Sequence, residues 1–146
     1  MDSLDRLATY VDHVPVHLRS LPNDQLLNQQ PGKWSRKEIL GHLIDSAINN
    51  LKRFTDAQFA DDSYLVQPYN QDELVKLNKY QCAPLEHLLI LWQSLNRQLI
   101  IVARSIPVNA LSRPVQFGKI DMEPRTLEWL VHDYVAHLEH HLKTLL

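Results

Sequence analysis

TLEWLVHDYVAHLEHHLKTLL, residues 126–146, repeats apolar side chains at Leu127, Leu130, Val131, Tyr134, Leu138, Leu142 and Leu145. Steps of three and four trace one face of an α-helix. The same stretch holds His132, His137, His140 and His141, out of 8 histidines in the chain. A helix turns about 100° per residue, so His137 and His141 differ by only about 40° and stack one turn apart. They share the arc of Tyr134, Leu138 and Leu145, which turns both imidazoles inward. His140 falls with Asp133, Ala136 and Lys143 on the polar side. His132 lies near Glu128 and Glu139, also away from the core.

Three further segments have the same period. The first runs from about Asp2 to Leu21 through Leu4, Leu7, Val11, Val14 and Leu18. Pro15 should kink or shorten it, and Pro22 ends it. The second starts at Ser35, where Ser35 and Glu38 form a capping box. It continues to about Ala60 with Ile39, Leu43, Ala47, Asn50, Leu51 and Phe54 inward, and Trp34 is placed to staple back onto its first turn. The third begins near Pro84, read as a first helical residue, and ends before Pro107. Its apolar residues include Leu88, Leu89, Trp92, Leu95, Leu99 and Ile100. Linkers at 61–83 and 108–124 join these helices. The first should hold a short helix around Gln71–Asn78. In the second, Pro114–Ile120 reads as a small β-hairpin or a plain loop.

The expected fold is therefore all-α: one domain, residues 1–146, built as a four-helix bundle with long crossover connections. A looser helical domain completed by dimerisation is the alternative. Only 3 glycines in 146 residues fit a helical chain. Hydrophobic residues at 45% and charged residues at 22% are ordinary for a globular protein. A net charge of −2 with no basic stripe argues against a nucleic-acid partner. Neither a membrane span nor a signal peptide is expected, and the single cysteine fits a reducing, cytoplasmic setting. Cys82 has no flanking signature of a catalytic thiol and should cap the third helix. His13, His17 and His87 read as surface residues, Trp92 as core, and Trp129 as core rim or a dimer contact.

Two inward imidazoles one turn apart can clamp a borderline-soft metal, although the pattern also arises by chance in histidine-rich helices. His42 adds weight. It lies on the second helix beside Ile39, Leu43 and Ser46, on the inward arc. Three histidine ligands, His42, His137 and His141, with an open position is the pattern of a catalytic rather than a structural zinc site. Asp45, one turn from His42, reads either as a surface carboxylate or as a catalytic helper that orients an imidazole or takes a proton from bound water. Asn49 and Asn50 line a pocket or close a hydrogen-bond network. The tail is neither H-E-x-x-H nor H-x-x-E-H, which excludes the familiar zinc protease motifs. No glycine-rich phosphate loop is present. Since imidazoles ligate only when neutral, metal affinity should fall below about pH 6.

Pro31-Gly32-Lys33-Trp34-Ser35 followed by Glu38-Ile39-Leu40-Gly41-His42-Leu43-Ile44-Asp45-Ser46 resembles the second-helix signature of the DinB-like (YfiT-like) superfamily of metal-dependent enzymes. Thr126-Leu127-Glu128-Trp129-Leu130 and Asp133 to Leu142 resemble that family's closing helix. The resemblance implies a four-helix bundle, often a homodimer, with zinc or nickel on His42, His137 and His141. It also implies a small-molecule substrate and either thiol transfer with a low-molecular-weight thiol or hydrolysis. A non-catalytic metal- or ligand-binding stress-response protein, or a purely structural bundle, remains the alternative.

Overall fold

The structure is a computed structural model and describes residues 2–118 and 123–146. Four long helices carry it: α1 (Ser3–Ser20), α3 (Arg36–Asp56), α5 (Leu85–Arg104) and α7 (Leu127–Leu145). Short helices α2 (Asn23–Leu27), α4 (Gln71–Leu77) and α6 (Val108–Leu111) lie in the connections, with a 3₁₀ turn at Tyr80–Cys82. Both α1 and α3 pack against α5 and α7, so the consecutive long helices α1 and α3 occupy opposite corners of the bundle. That placement is what requires the crossovers. Among the described residues, no helix is long and apolar enough to cross a membrane.

The core is the inner stripe of each helix. Leu7, Val14, Leu18, Leu40, Leu43, Phe54, Leu89, Trp92, Leu99, Leu127 and Leu138 are all buried. Tyr134 enters this core because its hydroxyl donates to Asn96 Oδ1 at 2.6 Å, while Asn96 Nδ2 donates to the Trp92 carbonyl. A buried hydroxyl without such a partner would cost about 1–3 kcal/mol.

Pro15 does not shorten α1, which runs through it from Ser3 to Ser20. A proline lacks the N–H that would bond the carbonyl four residues earlier, here Val11. Gln93 of α5 supplies the missing donor, its Nε2 lying 2.9 Å from the Val11 carbonyl. Helix packing thus repairs locally what the proline removes.

The helix ends show smaller departures. The capping box at the start of α3 is present: Glu38 N donates to Ser35 Oγ at 3.1 Å and Ser35 N to Glu38 Oε2 at 2.9 Å. Helix α3 stops at Asp56 rather than near Ala60. Pro84 caps α5 in extended conformation instead of forming its first turn. Cys82 is exposed at the end of the 3₁₀ turn and caps nothing. Thr126 caps α7, accepting from Trp129 N at 3.1 Å.

The two long linkers meet in a three-stranded sheet. Strand β1 (Tyr64–Val66) pairs parallel with β2 (Pro114–Phe117), and β2 pairs antiparallel with β3 (Arg125–Thr126). The strand reading of Pro114–Ile120 thus holds for 114–117, while Lys119 and Ile120 lie outside the described residues. Trp129 belongs to the rim of this sheet. Its ring meets Phe117 edge-on at 5.7 Å and lies under the Arg125 guanidinium at 5.1 Å.

Candidate metal centre

The start of α3 is fixed by its capping box, and the start of α7 by the Thr126 cap. These two starts set the phase in which the histidines face one another. His42, buried, comes from the second turn of α3, and the half-buried His137 and His141 come from the last turns of α7. Each offers one ring nitrogen, and the three nitrogens lie within 4.8 Å of one another. His42 Nε2 and His137 Nε2 are 3.1 Å apart. The rings are edge-on, with centroids 4.7 Å apart for His42–His141 and His137–His141, and 5.1 Å for His42–His137.

Two nitrogens bound to one tetrahedral ion at 2.0–2.1 Å stand about 3.3 Å apart. The His42–His137 separation is close to that edge length. The donor set also fits chemically, since neutral imidazole suits zinc and nickel. Burial pushes the His42 imidazole down to about 3, helped by repulsion from His141 and His137. Burial likewise lowers His141 to about 4, with His137 and His140 adding to it, and lowers His137. All three rings are therefore neutral at pH 7, with lone pairs ready to donate.

Neighbours hold the rings. Trp34 lies against His42, centroids 4.8 Å apart at 35°, so it packs on that imidazole. Ser46 Oγ stands 3.4 Å from His137 Nδ1, which leaves Nε2 of that ring for the centre. Asn50 Nδ2 donates to the Ser46 carbonyl at 2.9 Å and Asn49 Nδ2 to the Asp45 carbonyl at 2.8 Å, so both asparagines close bonds within α3.

Asp45 is not a surface carboxylate, because it is only 3% exposed. Its Oδ1 accepts from the Tyr80 hydroxyl at 2.5 Å and from Asn78 Nδ2 at 3.0 Å. Burial raises its pKa, and the two hydrogen bonds oppose that shift. Among the described residues its Oδ2 is buried without a partner, as is Nδ1 of His42 one turn away. Tyr80 reaches Asp45 because position 41 is glycine. A Cβ there would run into the Tyr80 ring. Sequence reading missed Tyr80 and Asn78. The available signal was Gly41 itself, an isolated glycine inside a helix, which marks a close approach.

The remaining histidines stand apart. His140 is exposed and only flanks His141, at 5.3 Å between ring centres. His132 is exposed and its Nδ1 meets Ser3 Oγ at 2.8 Å. His13 and His87 are exposed, whereas His17 is half-buried.

A sequence profile described as the DinB superfamily matches residues 8–145. The chain belongs to the DinB superfamily. Among solved structures, this DinB chain is similar to YfiT from Bacillus subtilis, described as a probable metal-dependent hydrolase with an unusual four-helix bundle topology. The identity is 24% and the TM-score 0.78, over 94% of this chain and 81% of that one. It is also similar to the mycothiol-dependent maleylpyruvate isomerase, at 16% identity and TM-score 0.69. There the match covers 96% of the DinB chain but 58% of the isomerase. A point mutant of that isomerase aligns at 14% identity and TM-score 0.72. No curated protein matches the chain. At these identities the structural likeness shows a shared fold.

Proposed function

We propose that this chain is a metal-dependent enzyme for small molecules, with one zinc or nickel ion held by His42, His137 and His141. The convergence of three neutral imidazoles within 4.8 Å carries the reading. When bound, such an ion acidifies a coordinated water or thiol, making hydroxide or thiolate available near neutral pH. The protein groups supply orientation. Ser46 accepts the His137 Nδ1 proton and holds that ring with Nε2 turned to the centre. Asp45 Oδ2 and His42 Nδ1, one turn apart on α3, are both buried without a hydrogen-bond partner among the described residues, which makes Asp45 the nearest carboxylate along the helix to that ring. Tyr80 and Asn78 hold the other carboxylate oxygen and stop Asp45 from turning away.

The relatives support two reaction types, hydrolysis for YfiT and thiol-dependent isomerisation for the other. One assay set separates them. Zinc- or nickel-loaded protein is given model esters, and separately a thiol with an electrophile, alongside His42→Ala. Turnover of either class that His42→Ala abolishes supports the proposal and picks the reaction. Metal-loaded protein that turns over neither class supports a non-catalytic metal-binding role. That second reading has one observation in its favour: Asp45 is engaged by Tyr80 and Asn78, so it is not a free general base.

A further inference from the structure

The stripe of α3 that carries His42 continues through Ser46 and Asn49 to Arg53, at spacings of four, three and four. Eleven residues return a helix to within about 20° of the same direction, roughly 16 Å along its axis. The facing stripe of α7 runs His141, His137, Asp133. A polar seam therefore leads away from the three histidines between α3 and α7. Side chains tilt toward the N-terminal end of their helix, which leans Arg53 back toward His42.

Arg53 is half-buried, yet its charge is not neutralised by contact. Its Nη2 donates to the Gln67 carbonyl at 2.7 Å and its Cζ lies 5.5 Å over the Tyr69 ring. Among the described residues it forms no ion pair, unlike Arg6 with Glu139 or Arg19 with Glu86. Nor is it used up as a clamp, as Arg113 is by the Ala57 and Ala60 carbonyls. A guanidinium has five N–H donors, and among the described residues only one has a partner. Burial lowers its pKa, while Tyr69, Tyr64 and Asp133 act in the opposite sense from beyond bonding distance. Arg125 adds a second positive charge that Asp133 also senses, and it likewise forms no ion pair among the described residues. A partly desolvated guanidinium with free donors, on the same stripe as the ligand histidine, is suited to a carboxylate.

We propose that Arg53 binds the anionic end of the substrate, a small organic carboxylate whose other end reaches the three-histidine centre. Arg53 is then a specificity-determining residue. This inference rests on the metal reading above, and its test keeps the two apart.

The probes are ω-mercaptocarboxylates of graded length and the mercaptoalkanols of the same length. Both bind a metal through sulfur, and only the acids can pair with Arg53. Dissociation constants are measured on metal-loaded full-length protein, with metal content checked in every sample. At the length that spans the seam, the acid should bind about tenfold or more tightly than the alcohol, the gain of one charge-assisted hydrogen-bonded pair. Arg53→Gln should bring that ratio to about one, and Arg53→Lys should retain part of it. If Arg53 only ties the 67–69 segment to α3, substitution weakens acids and alcohols alike and the ratio stays. An unchanged ratio in Arg53→Gln, a ratio near one at every length in the parent protein, or no thiol binding to metal-loaded protein overturns the inference. Failure to take up metal overturns the metal reading instead.

Discussion

Gly41→Ala tests the support beneath the candidate metal centre. In an isolated helix this change stabilises by about 1 kcal/mol. Here the new methyl would lie 2.7 Å from Tyr80 Cβ and inside contact distance of the ring. Carbon atoms prefer roughly 3.5–4.0 Å. Because Tyr80 Cβ is itself too close, rotating the ring is not enough, and the Tyr80–Cys82 turn must move outward. Forced repacking of this kind costs about 1–3 kcal/mol. Moving Tyr80 also removes its hydrogen bond to the buried Asp45 carboxylate, a further 1.5–3 kcal/mol or so for a charged partner. After the helix gain, the expected net loss is about 1.5–5 kcal/mol. Urea unfolding of metal-free protein, followed by circular dichroism, measures it. Tyr80→Phe, which removes only the hydroxyl, should cost less than Gly41→Ala. A Gly41→Ala protein as stable as the parent would refute the packing of Tyr80 on α3 and the role given to Asp45.

Further outcomes follow from the same contacts. Ser46→Ala should weaken zinc binding about 10- to 100-fold, because the His137 Nδ1 proton loses its acceptor; competition with a chromogenic chelator reads this. His140→Ala should leave that affinity unchanged, since His140 is exposed and outside the cluster. Gln93→Leu should cost about 1–3 kcal/mol by orphaning the Val11 carbonyl, and clearly less after Pro15→Ala, which restores an N–H to that carbonyl. A double-mutant cycle showing strict additivity would contradict this. The pH response of metal-free protein has a definite sign. His42 and His141 titrate near 3 and 4 when folded and near 6.5 when unfolded, so the unfolded chain binds more protons between these values. Their contribution is complete above about pH 6.5 and is lost as pH falls toward 4, which denaturant midpoints at pH 7 and pH 5 should show. For the same reason, proton competition for the metal should begin below the pH of about 6 expected of ordinary imidazoles.

What the sequence revealed, and what it hid, divides along local and non-local lines. The long helices were legible because each writes its buried face in steps of three and four. The start of α3 was legible because Ser35 and Glu38 satisfy each other. The trio of histidines was legible because helix phase alone turns His137, His141 and His42 inward. Pro15 misled because its repair comes from Gln93, on a helix distant in the chain, and no local rule reports such a donor. The pairing of Tyr64–Val66 with Pro114–Phe117 was hidden for a similar reason. A parallel contact between two short linker segments has no turn to signal it. Asp45 was ambiguous because its burial depends on Tyr80 and Asn78, which lie in a linker without periodicity.

The central claim is tested most directly by metal analysis of tag-free protein together with X-ray absorption at the metal edge. The expected result is about one zinc or nickel per chain, with three imidazole nitrogens at about 2.0–2.1 Å, and loss of the ion when His42, His137 or His141 is replaced by alanine. Less than a tenth of an equivalent after loading, or an ion that survives all three replacements, would contradict it.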